Sequence, residues 1–376
     1  MVAAVDDAGP LAWALLSATL AVLLVKLFLS GRPGLFGSRG IARGQALPPV
    51  VSMSWLLPPG IEGIRGFLGG PLDLIAKAYP RYGNVFTVAL AHRRMTFLLG
   101  PGVNEHFFRG SDEVVSQKEV YEFNVPTFGR GVVFDVDHKI RREQFKFFAE
   151  ALKPTRLRTY VDQMVDEAEM FFAKWGESGE VDLLHELSSL IILTASRCLL
   201  GREIRENLFE EVYRLFHFLD MGMQPISVLL PYLPIKAHRD RDAARKELSQ
   251  IFSKVISSRR RSGVHETDVL QTMIDARYSE RTYGGRHLTD DEITGMMIAI
   301  LFAGQHTSSI TSTWTGLYLH SKMYRDKFLP PVLEEQRSVL KEYGSKLDYD
   351  VLSKMDCLHR SMKEALRLHP PLIMLM

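Results

Sequence analysis

The 376 residues of this chain are enough for one large domain or two, with an ample apolar core. Lys and Arg number 46 and Asp and Glu number 44, so the near-neutral balance disfavours nucleic acid and other polyelectrolyte partners. Cys198 and Cys357 are the only cysteines, and they form neither a CxxC pair nor a disulfide framework. Free thiols and a body that faces the cytosol fit this composition.

The N-terminal residues predict a membrane anchor. Residues 11–30 are almost continuously apolar, and about 20 helical residues suffice to cross the hydrocarbon core of a bilayer. A cleaved signal peptide is the alternative, but it needs basic residues before the apolar run, where Asp6 and Asp7 stand. Basic residues instead follow the run from Lys26 onward, which places the remaining chain in the cytosol. We therefore predict a single-pass anchor within residues 1–30.

Residues 31–60 are rich in Gly and Pro, which predicts a semi-rigid hinge without regular structure. A further glycine pattern could be read as a phosphate-binding loop or as part of this glycine-rich hinge. It consists of Gly60, Gly63, Gly66 and Gly69. No strand pattern precedes it and no GK[ST] follows, so the hinge interpretation is favoured.

Four patterns follow in chain order. Residues 83–100 predict two short strands around a polar turn. Residues 181–201 predict a helix in which Cys198 is a small buried hydrophobic residue rather than a ligand. Residues 220–238 are apolar and interrupted by prolines, which suits a segment that dips into the bilayer interface. Residues 241–263 predict an amphipathic helix whose basic end forms a solvated face.

Residues 290–320, "DDEITGMMIAILFAGQHTSSITSTWTGLYLH", predict a long helix that we call the central helix. Thr289 and Glu292 have the spacing of a capping box at its start. Residues 296–320 contain no Asp, Glu, Lys or Arg, so this part predicts a buried helix. A membrane span is the alternative, but the many polar side chains between residues 305 and 313 make it costly.

The middle of the central helix, "AGQHTSS" at residues 303–309, predicts a small polar niche. Gly304 weakens the helix locally, and Thr307 can divert hydrogen bonds to the preceding turn. The alternative is a polar patch that neighbouring helices satisfy.

Near the end, "SMKEALRLHPPL" places Glu364 and Arg367 three residues apart on one helical face, followed by His369. Taken alone, such a pair is a modest surface salt bridge.

Together these motifs resemble the haem-thiolate monooxygenases of the cytochrome P-450 superfamily. "AGQHTSS" is similar to the oxygen-binding groove of their central helix, and "EALR" resembles their E-x-x-R motif. His306 before Thr307, and "YEFNVPTFGRGVVFDV" at 121–136, resemble the sterol 14α-demethylases of the plant obtusifoliol type. The resemblance implies a mainly α fold with small β-sheets, the cytochrome P-450 fold, with its catalytic domain at residues 61–376 behind the anchor.

Roles follow from the resemblance by position. Thr307 is expected to contact dioxygen bound at the haem, and His306 to feed the associated proton relay, where a near-neutral pKa is useful. Tyr121 and Arg142 are expected to bind the haem propionates. Phe134 departs from family members that have a Tyr there, which removes one expected haem contact.

The expected sterol cavity is apolar, in keeping with ligand pockets in general. Its expected lining residues are Phe123, Phe128, Ala299, Phe302, Ala303, Leu372 and Met374. Phe123 stands where animal and fungal relatives have a smaller aliphatic side chain, so a substrate with one methyl on carbon 4, such as obtusifoliol, is expected. Glu364 and Arg367 are expected to act structurally, in a buried network beneath the haem.

The resemblance also implies haem b as cofactor, electrons from NADPH through a reductase, and a location in the endoplasmic reticulum membrane. The family's axial cysteine lies in a glycine-rich loop that this sequence does not contain, so no metal ligand is assigned. We therefore expect a C-terminally truncated fragment that alone lacks monooxygenase activity. A haem-free, membrane-anchored binding or scaffold protein is the alternative from another class, and another sterol or lipid hydroxylase is the alternative enzyme.

Overall fold

The computed structural model describes residues 47–51, 59–90, 93–263 and 265–375. The predicted anchor, and most of the predicted hinge, lie outside the described residues. Two compact units are present: residues up to 116 together with 228–230, and residues 117–227 together with 231–376. The assignment of one catalytic domain to residues 61–376 stays a prediction.

The first unit contains a two-stranded antiparallel sheet and short helices. The strands are β1, Val85–Leu90, and β2, Arg93–Leu98. Their register pairs Val85 with Leu98, which confirms the predicted pair of strands around a turn. The helices are α1 Pro59–Gly69, α2 Pro71–Tyr82 and α3 Pro101–Arg109.

The glycines that were assigned to a hinge lie in a helix instead. Gly63 and Gly66 belong to α1, because a spacing of three residues also repeats along one helical face. A Cβ atom on Gly63 would lie 1.9 Å from the carbonyl oxygen of Ala89 in β1. Gly63 therefore allows α1 to approach β1 closely, and the hinge interpretation of this stretch was wrong.

The second unit is helical. Its α-helices are α4 Val125–Phe128, α5 His138–Ala151, α6 Pro154–Phe172, α7 Leu183–Ala195, α8 Arg202–Asn207, α9 Phe209–Met221, α10 Lys236–Ser262, α11 Val269–Asp275, α12 Glu280–Tyr283, α13 Asp290–His320, α14 Arg325–Tyr343, α15 Tyr349–Leu352 and α16 Asp356–Leu368. A π-helical turn, Ser196–Leu200, continues α7, and a 3₁₀ turn covers Glu122–Asn124. A second 3₁₀ turn, Pro225–Val228, ends at the first residue of the 228–230 segment of the first unit.

The central helix is α13, and it contacts α4, α7, α10, α14 and α16. The predicted capping box is present, since Thr289 Oγ1 accepts from the backbone N–H of Glu292 and the Glu292 carboxylate accepts from that of Thr289. Burial is nearly complete from Glu292 to Leu301, where the helix crosses the apolar core. Beyond Leu301 the predicted burial is only partial, because Ala303 and His306 are exposed.

Among the described residues, one helical stretch has the length and apolar character to cross a membrane, namely Leu183–Leu200. This stretch packs against the central helix and against α6. Cys198 lies within it and is fully buried, with its thiol directed toward the carbonyl oxygen of Tyr160 at 3.8 Å, as predicted for a buried small hydrophobic residue.

The basic end of α10 is only partly the solvated face that we predicted. Arg259 is buried, and it binds both carboxylate oxygens of Asp268, each at 2.8 Å. Its other contacts are the carboxylate oxygens of Glu203, at 2.8 and 2.6 Å. Arg261, two residues later, is exposed. The sequence spacing did not reveal that α8 and α11 bring two acids to a single guanidinium.

We expect Arg259→Met to destabilise the fold by about 3–5 kcal/mol, because two carboxylates lose their buried partner. Arg261→Met is the matched control and should change the free energy of unfolding by less than about 0.5 kcal/mol. Urea unfolding followed by circular dichroism measures both. Equal unfolding midpoints for the two variants would show that the buried ion pairs add no stability.

Candidate functional site

The polar niche lies on the central helix where its burial ends. Thr307 Oγ1 donates to the carbonyl oxygen of Ala303 at 2.6 Å and lies 3.3 Å from that of Gly304. This is the diversion to the preceding turn that the sequence predicted. A Cβ atom on Gly304 would meet no atom within 4 Å, so the small side chains at 303, 304 and 307 leave an open face.

Aromatic rings border this face and form a connected series. The contacts, by ring centroid, are Phe123–Tyr121 at 6.2 Å, Tyr121–Phe134 at 4.8 Å, Phe134–Phe128 at 6.0 Å, Phe128–Phe302 at 6.1 Å, and Phe302 with Phe216 at 6.1 Å and with His306 at 6.4 Å. We call these residues the aromatic series. Residues from three separate parts of the sequence therefore meet beside the niche. Aromatic pairs in offset or edge-to-face geometry stabilise the packing of their rings.

The structure brings together most of the residues that the sequence assigned to sterol binding. Phe123, Phe128 and Phe302 belong to the aromatic series, and Ala299 packs one turn before Phe302 against the core. Ala303 lies on the open face beside them.

The two assigned residues near the C-terminus are not enclosed. Leu372 is 62% exposed and Met374 is half-buried. The preceding His369 is fixed, because its ring stacks on Trp314 of the central helix with the centroids 3.7 Å apart.

His306 pairs with an acid that the sequence reasoning missed. Its Nε2 lies 3.0 Å from Oδ1 of Asp220, at the end of α9. The hydrogen bond to Asp220 raises the pKa of His306, although partial burial opposes the shift. The protonated imidazole therefore persists to a higher pH than that of a free histidine. No sequence signal marked Asp220, because the pair spans 86 residues.

The two residues assigned to the haem propionates differ in their surroundings. Tyr121 is half-buried and stacks on Phe134. Arg142 is exposed on α5, whereas the adjacent Arg141 is buried. Successive helical residues point about 100° apart, so the sequence could place a guanidinium on α5 but not decide which of the two turns inward.

Glu364 and Arg367 form a bidentate pair, with N–O distances of 2.7 and 2.8 Å. Their side chains are 57% and 66% exposed, so the buried network that we expected for this pair is not observed. The i, i+3 spacing on α16 brings the two side chains together, but spacing does not determine burial.

A buried guanidinium also contacts the aromatic series from α10. Arg245 Nε and Nη2 lie 3.3 and 3.2 Å from the carbonyl oxygen of Phe128, and Nη2 also lies 3.1 Å from Oδ1 of Asp291. Gly129 leaves room for it, since a Cβ atom there would lie 2.5 Å from Nη2. Arg245 thus ties α4 to the start of the central helix. The sequence offered no signal for it beyond one more basic residue on α10.

Comparison with known proteins identifies the family. A family model described as Cytochrome P450 matches residues 63–376. The chain belongs to this family. As a P450, it is 57% identical over 335 residues to the Sterol 14-demethylase of Arabidopsis thaliana, covering 89% of this chain and 67% of the relative. It is 55% identical to the Obtusifoliol 14-alpha demethylase of Sorghum bicolor, covering 94% of this chain and 68% of the relative.

The fold is that of a P450 as well. The structure of a retinoic acid-bound cyanobacterial P450, CYP120A1, matches with a TM-score of 0.70. The match covers 83% of this chain and 68% of that chain, at 22% sequence identity. The predicted mainly α cytochrome P-450 fold is therefore confirmed.

Membership of the P450 family implies a haem iron cofactor. The open face of small residues on the central helix fits one side of a flat macrocycle. Neither cysteine belongs to this open face or to the aromatic series, since Cys198 is fully buried in the π-helical turn after α7 and Cys357 lies at the start of α16. Burial raises the pKa of Cys198 to about 12, and burial and the Glu335 carboxylate raise that of Cys357. Both thiols are therefore weaker acids than the thiol of a free cysteine.

We expect Asp220→Asn to lower the pKa of His306 toward its ordinary value of about 6.5. The pair stabilises the protein below that pH, and its contribution is lost as pH rises through the raised pKa of the folded state. Because both side chains are partly exposed, this contribution is about 0.2–1 kcal/mol at pH 6 and absent at pH 9. NMR titration of the His306 ring measures the shift. Glu210→Gln, an equal charge change at the exposed start of α9, should leave the His306 pKa unchanged, and an equal response would contradict the pairing.

Proposed function

We propose that this protein is a sterol 14α-demethylase, which removes the 14α-methyl group of an obtusifoliol-like sterol by three successive oxygenations. The plant relatives that carry this name are 55% and 57% identical over most of the chain. The structural observation that carries the proposal is the aromatic series. Its rings include Phe123, Phe128 and Phe302, and it reaches the central helix through Phe302, which supports a site where a flat, apolar substrate lies against a bound cofactor.

Haem, when bound on that open face, supplies the oxidising chemistry with electrons delivered from NADPH by a reductase. Tyr121 and a guanidinium of α5 are the groups proposed to hold its carboxylates. Arg142 is the residue assigned from the sequence, and the buried Arg141 is the alternative on the same helix.

The polar residues of the niche have distinct proposed roles. Thr307 presents a hydroxyl on the open face, and its hydrogen bond to Ala303 fixes the direction of the oxygen atom. His306 holds a proton at Nε2, and Asp220 keeps it there through the raised pKa. Asp220 is itself partly exposed, so the pair can exchange protons with water and return them to the niche.

The proposed setting is the endoplasmic reticulum membrane, with the anchor at residues 1–30 and the body in the cytosol. The apolar run and the basic residues that follow it support this topology. A sterol is itself a membrane component, so an anchored enzyme meets its substrate directly.

We expect Thr307→Ala in the full-length, haem-loaded enzyme to divert reducing equivalents into peroxide or water and to slow demethylation by about 10²-fold. The variant removes a hydroxyl that acts on oxygen, so the dissociation constant for the sterol should change little. The measurement is demethylated sterol formed per NADPH consumed.

Thr311→Ala is the matched control for this variant. Thr311 lies one turn later and makes the same type of bond, to the carbonyl oxygen of Thr307 at 2.6 Å. Its removal should leave the coupling ratio unchanged. If the two variants uncouple equally, "AGQHTSS" is a satisfied polar patch and not the oxygen niche.

The substrate proposal is tested by Phe123→Leu. We expect this variant to relax the preference for obtusifoliol over lanosterol by about 10–200-fold, because the smaller side chain admits a second methyl group on carbon 4. The kcat/KM ratio of the two sterols measures the effect. Phe108→Leu, at an exposed ring, is the control and should keep the wild-type ratio. An unchanged ratio in Phe123→Leu would rule out Phe123 as the selecting residue.

A further inference from the structure

Val133 has a backbone conformation that its side chain disfavours. Its φ is 46°, and among the described residues it is the one non-glycine residue at positive φ. It lies in a turn, residues 129–136, where Gly129 and Gly131 also have positive φ, at 103° and 74°. Glycine adopts such values freely, but a β-branched residue does not, so the surrounding structure must hold Val133 in place.

The side chain of Gln144 supplies the holding contacts. It is fully buried on α5. Its Oε1 accepts from the backbone N–H of Val133 at 2.7 Å, and its Nε2 donates to the carbonyl oxygen of Gly131 at 2.9 Å. One amide therefore binds the two peptide groups that flank Val132, and it fixes the backbone N–H at which the strained residue begins. The amide supplies an acceptor and a donor from separate atoms, so it satisfies both backbone groups without a buried charge.

The same amide connects the turn to the start of the central helix. Gln144 Nε2 also lies 2.9 Å from the hydroxyl of Tyr278, and that hydroxyl lies 3.2 Å from Oε1 of Glu292. Glu292 belongs to the capping box and binds Arg286 through both carboxylate oxygens, at 2.7 and 2.8 Å. The turn is thus joined by side-chain hydrogen bonds to the helix that carries the niche.

The 129–136 turn also determines the positions of two rings of the aromatic series. Phe134 directly follows Val133 and stacks on Tyr121, and Phe128 directly precedes Gly129. A change of φ at Val133 reorients the chain on both sides of it, and so moves Phe134 relative to Tyr121 and Phe123. The contacts of Gln144 therefore determine the geometry of rings that it does not touch.

We propose that Gln144 is a positioning residue for sterol selectivity, which holds Val133 in its left-handed conformation and thereby sets the aromatic series. The selectivity half of this proposal depends on the proposed function. The conformational half concerns the described residues alone and has its own measurement.

The conformational measurement is hydrogen exchange of the 129–136 amides in the sterol-free protein. The variant Gln144→Met keeps the side-chain length and removes both hydrogen bonds. We expect exchange in this turn to accelerate by roughly 10–100-fold, since the strained residue is released. Gln271→Met is the matched control, because Gln271 is also buried but bonds to His265 and Asp275 instead. It should leave exchange in the 129–136 turn at the wild-type rate.

The selectivity measurement is the ratio of the dissociation constants of obtusifoliol and lanosterol. We expect Gln144→Met to bring this ratio at least about fivefold closer to one, within the range by which apolar pockets discriminate one methyl group. Val133→Gly provides the rescue, because glycine adopts φ 46° without strain. The double variant Gln144→Met with Val133→Gly should recover most of the wild-type ratio. A residue with only a general packing role would show no such specific rescue.

Each result decides one half of the proposal. Unchanged hydrogen exchange in the 129–136 turn would show that Gln144 does not hold Val133 in its conformation. Faster exchange with an unchanged sterol ratio, or an absence of rescue, would overturn the positioning role. If the wild-type protein binds neither sterol, the proposed function fails. Hydrogen exchange of the 129–136 amides still tests whether Gln144 holds Val133. Should Gln144→Met not fold, Tyr278→Phe removes one partner of the same amide while keeping the ring, and it should produce a smaller acceleration of exchange in the 129–136 turn.

Discussion

The buried carboxylate of Glu292 is the contact on which the arrangement of the site depends. It accepts the backbone N–H of Thr289 and so begins the central helix, it binds the Arg286 guanidinium, and it receives the hydroxyl of Tyr278. Burial alone would raise the pKa of Glu292, but the Arg286 and Thr289 hydrogen bonds lower it below its ordinary value. The carboxylate therefore stays charged, and a charged group with every acceptor position used fixes its neighbours in one geometry.

The central helix combines two halves with different physical requirements. Its first half is apolar and buried, so it defines the core against α10 and α4. Its second half carries hydroxyls that are satisfied within the helix, because Thr307, Thr311 and Thr315 each donate to the carbonyl oxygen four residues earlier. Polar groups that are satisfied locally need no partner from another helix. The hydroxyl of Thr307 is therefore satisfied while the face of the niche stays open.

Buried charges tie helices together elsewhere in the second unit as well. Glu167 of α6 is buried and pairs with Arg197 and with Arg205. Arg245 joins α10 to the carbonyl oxygen of Phe128 and to Asp291. A buried ion pair contributes little net stability compared with an apolar contact, but losing one partner is costly, so such pairs favour a single packing arrangement. Beside the aromatic series Arg245 acts in this way, because it joins α10 to α4 and to the start of the central helix.

The sequence by itself determined the local features. Periodicity placed the strands at residues 83–100 and the long central helix, and the spacing of Thr289 and Glu292 gave the capping box, because these features depend on residues within one or two turns of each other. The motifs around Thr307 and Phe123 named the family and most of the ring residues, through resemblance.

Tertiary structure alone decided the remaining features. The pairing of Asp220 with His306, the inward turn of Arg141 rather than Arg142, and the clamp of Gln144 on Val133 all depend on how separate helices pack. The same holds for the burial of Arg259 and the exposure of Glu364 and Arg367, whose spacing on a helix fixed their contact but not their surroundings. A sequence pattern specifies which side chains share a face, whereas the partner of that face is set by the packing of the whole chain.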